Sequence, residues 1–294
     1  MKAIASDASL SSLPSPLERA GAAMWQLPSG ALVARRGLCT LAQPCLRRPQ
    51  HARGFRFFDA TLLLVVSGRM TLNNGEVVLA LQDPLTLTAM AQNACADVEK
   101  IPGGDDQTFR SVFLAFAPEA ILEFHRRHEN DIPPSSAVTH GCQIALDSDL
   151  ADTLNHCLRG MYSAQLSERE QMHRLVGLLL ALAERGCRFS RPSSQRISDR
   201  LKNLLADAPA GPWTTAKAGR ELAMSEATLR RRLAAENVRF ETLLLDIRMH
   251  HAMTLLQTTG WGVQQIAEAC GYRASSRFSL RFRERFGCSP SQVR

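Results

Sequence analysis

The residues with the most legible chemistry are arginines near the C-terminus. Arg230, Arg231 and Arg232 are consecutive, and Arg277, Arg281, Arg283 and Arg285 fall in one short segment. A guanidinium presents five N–H donors in a planar fork, which suits phosphate oxygens and the edge of guanine. Helical geometry decides which of these side chains point outward. With Leu229 and Leu233 as the buried stripe of one helix, Ala227, Thr228 and Arg231 lie opposite, flanked by Arg230. With Phe278, Phe282 and Phe286 as the stripe of a second, Ser276, Arg277, Leu280 and Arg283 face away. Two such surfaces could enter the major groove of duplex DNA, or they could be no more than solvated charged faces.

The charge distribution separates these alternatives. Residues 195–294 carry 16 Lys and Arg against 9 Asp and Glu, whereas the preceding 194 residues are balanced at 19 and 19. The whole excess of +7 therefore lies in the last third, the footprint of a polyanion-binding module joined to a neutral one.

Other chemistries are less well supported. The eight cysteines at 39, 45, 95, 142, 157, 187, 270 and 288 contain no CxxC pair. They are read as reduced, mostly buried thiols, Cys39 and Cys45 included, rather than as redox sensors or zinc ligands. His125 and His128 have i, i+3 spacing that suits a metal, but are read as surface histidines. The segments read as strands over 55–116 contain no histidine, and His51 precedes them. No cofactor, metal site or catalytic residue is called for, and the chain is expected not to be an enzyme. An N-terminal run with Asp7, Pro14, Pro16 and Glu18 is unlike a signal peptide, and the longest apolar run, 175–183, is too short to span a bilayer. The expected location is the cytoplasm, with no membrane partner.

Several elements must position these side chains. Residues 1–30 are rich in Ser, Ala and Pro and are expected to form a disordered arm. Strands are predicted over 55–58, 61–67, 70–72, 77–81, 85–88 and 110–116, with turns at Gly68 and Asn73-Asn74-Gly75. Five or six strands in so short a stretch suggest a small barrel or sandwich. Helices follow over 119–129, 150–164 and 168–188, the last with a stripe of Met172, Leu175, Val176, Leu179 and Leu182 that serves either as internal core or as a dimer seam. A linker is expected over 190–195. Beyond it, one unit occurs twice: a short helix, a turn and a second helix, over about 213–234 and again over about 262–285. Each is a helix-turn-helix candidate. Ser225 is the expected N-cap of the first outer helix, and a longer helix over 240–257 separates the two units.

The segment LAMSEATLRRRLAAENVRFETLLLDIRMHHAMTLLQTTGWGVQQIAEACGYRASSRFSLRFRERFGCSPSQVR resembles the DNA-binding domain of the AraC/XylS transcriptional regulators. IAEACGY, FSLRF and RFGCSPSQVR carry the likeness most specifically, and RMHHAMTLLQTTG resembles the helix between the two motifs. The resemblance implies a seven-helix DNA-binding domain over 196–294 and, over 31–189, a regulatory or dimerisation domain in which a cupin-like β-barrel is followed by helices, an α+β chain overall. It implies promoter binding, most simply as an activator, with double-stranded DNA and RNA polymerase as partners and a homodimer as an option. Base-facing positions carried over are Ala227, Arg230 and Arg231 in the first motif and Ser275, Ser276, Ser279 and Leu280 in the second.

The pattern is not followed everywhere. Ala223 stands where the family often has glycine, Gly219 where it often has alanine, which should weaken that helix by up to about 1 kcal/mol, and Leu280 where an arginine is frequent. With serines and a leucine on the second outer helix, the first motif is expected to dominate sequence readout, while Arg277 and Arg281 of the second grip phosphate. For the N-terminal part the alternatives stay open between a small-molecule effector, a protein partner and constitutive dimerisation. The remaining alternative, a DNA-repair alkyltransferase with a similar C-terminal domain, would need a reactive cysteine with its catalytic surroundings or a four-cysteine zinc site; Cys45 in QPCLRRP has no adjacent histidine, and the cysteine spacing makes no cluster.

Overall fold

The computed structural model describes residues 32–82, 84–128, 137–192 and 196–293. The expected arm over 1–30 and residues 193–195 of the expected linker lie outside them. The chain opens with three short strands, β1 (Val33–Arg35), β2 (Cys39–Ala42) and β3 (Cys45–Leu46), followed by β4 (Gln50–Phe57), β5 (Thr61–Ser67), β6 (Arg69–Asn73) and β7 (Val78–Leu81). Then come β8 (Thr86–Met90), β9 (Ala94–Ile101) and β10 (Phe109–Phe116), and after helix α1 (Pro118–His128) a last strand, β11 (Gly141–Ala145).

The strands do not close into a barrel. They form a seven-stranded sheet ordered β1-β2-β10-β5-β8-β11, with β3 also on β10, and a four-stranded sheet ordered β4-β9-β6-β7. This corrects the cupin-like barrel expectation: the fold is α+β with two packed sheets, and among the described residues no ladder joins them. The reason lies at β4, the edge that a closing strand would have to meet. β4 is bulged between Ala52 and Phe55, and helices from the C-terminal third pack on it, covering the edge as a neighbouring strand would otherwise do.

Sequence and position agree strand by strand. TLLLVVS in β5 lies between β10 and β8 and is nearly all buried, as a continuous apolar run should be. Leu63, Val65, Leu72, Val98 and Phe109 form the core between the sheets. The larger core on the other face of the seven-stranded sheet is completed by α1, α2 (Ser148–Tyr162) and α3 (Glu168–Glu184). Asp147 caps α2, and Ser167 with Glu170 forms a capping box on α3. Leu175, Val176, Leu179 and Leu182 are buried in the same cluster as Leu150, Leu154 and Leu158 of α2. The apolar stripe of α3 is thus internal core. The helix ends before 188 because Gly186 turns to φ +80° and the Cys187 amide closes on Leu182.

Two residue readings need correction here. His125 is buried, not at the surface: the Phe124 ring lies beside it with centroids 5.3 Å apart, its Nε2 is 3.0 Å from the Phe189 carbonyl and its Nδ1 3.1 Å from Arg188. Among the eight thiols, Cys39, Cys157, Cys187 and Cys270 are buried, but Cys45 and Cys95 are exposed. In the two-residue strand β3, Leu46 points inward and Cys45 therefore outward. Cys39 fits the expectation, and burial pushes its thiol up to about 12. His51 lies within β4, exposed.

The rest is helical: α4 (Ile197–Asp207), α5 (Thr215–Glu221), α6 (Glu226–Ala235), α7 (Phe240–Thr258), α8 (Val263–Ala269), α9 (Ser275–Phe286) and a 3-10 turn at Pro290–Gln292. One core joins α4 to α6 and the start of α7, and another joins the rest of α7 to α8 and α9.

Candidate nucleic-acid interface

Each motif is built by its own local chemistry. Thr214 caps α5 and Ser225 caps α6, where its Oγ accepts from the Thr228 amide at 3.2 Å. Between them the chain turns at Ala223, held at φ +57°, a conformation that costs a residue with a Cβ about 1 kcal/mol or more. Gly219 lets this turn close: a Cβ there would stand 2.9 Å from the Met224 carbonyl oxygen. In the second motif the turn is made by Gly271 at φ +77°, and Phe278, Phe282 and Phe286 are fully buried. α7 runs between the motifs. Near its middle Arg248 donates from Nε to the Pro209 carbonyl at 3.0 Å and from Nη2 to Gly211 at 2.8 Å, which ties the 208–213 segment to the helix.

The outward faces fall largely where helical geometry places them. On α6, Ala227, Arg230 and Arg231 are exposed and Thr228 is half-buried beside Ser225. On α9, Ser275, Ser276, Arg277, Leu280 and Arg281 are exposed and Ser279 is half-buried. Leu280 is 47% exposed, unusual for a leucine. Not all the arginines are equivalent. Arg230 pairs with Glu226 at 2.6 Å and Arg281 with Glu284 at 2.8 Å, both within their own helix, whereas Arg231 and Arg277 have no ion pair among the described residues. Surface pairs of this kind hold their partners weakly. Arg283 is exposed.

Arg285 departs from the charged-face reading. It turns inward to an ion pair with Asp246 of α7, and its Nη2 donates to the Gly54 carbonyl of β4 at 3.0 Å. The sequence did not single out Trp213 and Lys217, which stack with Nζ 4.7 Å from the indole centroid. Trp213 lines a groove between the two motifs of about 560 Å³ with Arg230, Arg248, Tyr272 and Arg281.

The face that α7 shares with the strands is polar and specific. Gln257 Nε2 donates to Gln50 Oε1 at 2.6 Å, and Lys202 of α4 pairs with Asp59. Beside these contacts lies a small cavity of about 40 Å³, lined by Phe55, Phe57, Phe113 and Lys100 of the strands and by Met253, Thr254 and Gln257 of α7. It shares Phe55, Phe57, Phe113 and Thr254 with a wider hollow of about 250 Å³.

Comparison with known proteins agrees with this geometry. A family model described as "Helix-turn-helix domain" matches residues 219–294. This C-terminal segment is an AraC-type helix-turn-helix domain. The HTH-type transcriptional regulator YdeO of Escherichia coli K12 is 39% identical over 97 residues, 33% of this chain and 38% of YdeO. GadX of the same strain is 26% identical over 185 residues, 62% of this chain and 65% of GadX. The matched segments thus span less than two thirds of either relative. ToxT of Vibrio cholerae, in a crystal structure with an unsaturated fatty acid bound, has a similar fold at 15% identity, with a TM-score of 0.58 over 90% of this chain and 96% of its own. At this identity the likeness to ToxT is one of fold alone. Among the described residues no helix is long and apolar enough to cross a membrane, and no group of three or more His, Cys, Asp or Glu is arranged to hold a metal ion.

Proposed function

We propose that this chain is a sequence-specific regulator of transcription that binds promoter DNA through α6 and α9, placed in successive major grooves on one face of the duplex. The observation that carries the reading is the pair of helix-turn-helix units joined by α7, each with an exposed helix face bearing an arginine that has no ion pair among the described residues. In this reading 196–294 is the DNA-binding domain, 31–189 the regulatory domain and 190–195 the link between them. Arg231 and Arg230 read base edges, with Ala227 and Thr228 beside them. On α9, Leu280 meets a thymine methyl, Ser275, Ser276 and Ser279 make short-range contacts, and Arg277 and Arg281 grip phosphate. Arg281 reaches phosphate by giving up its weak pair with Glu284.

Activation is the sign proposed, with RNA polymerase as partner, acting from the cytoplasm. A cavity at the α7 face favours a small-molecule effector over a protein partner, and the fatty acid bound by ToxT is in keeping with that choice. In vitro transcription from the flanking promoters, with purified chain and RNA polymerase, tests the proposal. Increased transcript that depends on Arg231 supports it, and unchanged transcript from every promoter to which the chain binds contradicts it.

A further inference from the structure

Four thiols of the N-terminal part fall into two pairs. Cys39 of β2 and Cys157 of α2 lie near each other inside the larger core. Cys142 of β11 and Cys187, just past the end of α3, are hydrogen-bonded to each other at the rim of the same core. Backbone contacts bring this second pair together. Ala137 pairs with Arg188, the Val138 amide donates to the Arg188 carbonyl at 2.9 Å, and the chain then bends at Thr139 and His140 into β11. The turn at Gly186 and the bond from the Cys187 amide to the Leu182 carbonyl at 2.9 Å hold the other partner in place.

Access from solvent distinguishes the two pairs. Cys39 and Cys157 are both buried, whereas Cys142 is only half-buried and leaves an opening for a small oxidant. The exposed thiols Cys45 and Cys95 have access, but they sit in different sheets, on β3 and β9. Contact and access therefore coincide at Cys142 and Cys187. Burial, and then the Cys142 sulfur, push the Cys187 thiol above its usual range, so Cys187 keeps its proton. Cys142 is accordingly the sulfur that meets an oxidant first, and Cys187 the one that resolves it. Their positions give a bond between them a structural effect: β11 is the last strand of its sheet, paired with β8, and Cys187 stands just before the segment that leads to the C-terminal helices.

We propose that Cys142 and Cys187 are the site of a reversible disulfide, formed when a hydroperoxide, in the simplest case hydrogen peroxide, reaches Cys142. The Cys142 sulfur attacks one peroxide oxygen and the O–O bond breaks; Cys142 becomes a sulfenic acid, and the other oxygen leaves as water with the thiol proton. The Cys187 sulfur then attacks the Cys142 sulfur. The S–S bond forms as the S–O bond breaks, and the hydroxyl leaves as a second water with the Cys187 proton. Both thiols are oxidised, and the peroxide is reduced to water. Contact offsets the low thiolate content of Cys187, because the resolving step takes place within the chain. A thiol reductant restores the pair by exchange. The bond closes the loop from 142 to 187 and staples β11 to the exit of α3. In a reducing compartment such a bond is transient and reports the presence of oxidant. The inference does not rest on the regulator reading.

The test treats the reduced full chain with a small excess of hydrogen peroxide and maps its peptides by mass spectrometry without reduction. The peptides that carry Cys142 and Cys187 are expected to be joined within one chain, with both sulfurs closed to alkylation, and dithiothreitol should release them. Melting temperature should rise by roughly 5 °C or more on linkage, since the cross-link restricts the unfolded chain, and should fall back on reduction. Cys142→Ser abolishes both changes, whereas the variant with Cys45→Ser and Cys95→Ser keeps them. If Cys142→Ser does not melt cooperatively, Cys187→Ala replaces it with the same expectation. Recovery of the two residues in unlinked peptides, a sulfinic acid at Cys142 beside a free Cys187 thiol, linkage of either to another cysteine, or linkage without a rise in melting temperature overturns the proposal.

Discussion

Nε2 of His250 accepts a hydrogen bond from the backbone amide of Arg56 at 3.0 Å, and its Nδ1 lies 2.8 Å from the Asp246 carbonyl. A histidine of α7 thus acts as the hydrogen-bond partner that an additional strand would have offered to the edge of β4. The arrangement requires the neutral ring with its proton on Nδ1, because a second proton on Nε2 would set N–H against N–H. Phe55, Phe58 and Phe286 surround the ring with centroids 4.7 to 5.3 Å away.

Burial holds His250 down to about 4, with Arg285 and Arg56 opposing its protonation and Asp246 favouring it. The unfolded chain therefore binds more protons than the folded one between pH 6.5 and about 4, and stability falls as pH falls through that window. Full protonation would cost roughly 3 kcal/mol. Melting temperature should drop between pH 6.5 and 4.5 in the native chain and markedly less in His250→Gln. Parallel curves for the two would show that another group controls the transition.

Arg285 links the outer helix of the second motif to α7 and to β4 at once. Arg285→Ala leaves Asp246 buried without its partner and should destabilise the chain by roughly 3 kcal/mol in urea denaturation. The double variant with Asp246→Asn should recover a substantial part of that loss. A single variant as stable as the native chain would mean that the pair contributes nothing, and a double variant no more stable than the single would mean that the orphaned carboxylate is not the source of the loss.

Ala223 is in the left-handed region at φ +57°, so Ala223→Gly should stabilise by about 0.5–1 kcal/mol. The same denaturation experiment measures it. An unchanged or lower midpoint would show that the turn is not strained.

Arg231 and Arg277 should separate by role. Arg231→Ala should weaken binding to the preferred sequence by about 1–3 kcal/mol while leaving scrambled DNA little affected. Arg277→Ala should weaken both alike and lower the log-log salt slope by about 0.9. Competition binding at several salt concentrations checks both; identical behaviour of the two variants would remove the distinction.

Legibility in the sequence followed the range of the interactions. The outward faces of α6 and α9 could be read because Leu229, Leu233 and the three phenylalanines set a helical period that the structure keeps. β5 was readable because seven consecutive residues of one character leave little choice. β9 was missed because ACADVEKI alternates small and charged residues, and its role depends on β4 and β6 being present on either side. The sheet arrangement was likewise out of reach: whether β4 closes a barrel or takes α7 and α9 on its edge depends on His250 and Arg285, some 200 residues away. Arg285 was read as surface for the same reason, its partner Asp246 being distant in sequence but adjacent in space.

Selection of binding sites from random double-stranded DNA by the purified full chain tests the central claim most directly. The account predicts enrichment of a sequence with two blocks about one helical turn apart, with the block under α6 the more strongly defined and degraded by Arg231→Ala. Recovery of no sequence preference, or of a single block unaffected by Arg231→Ala, would contradict it.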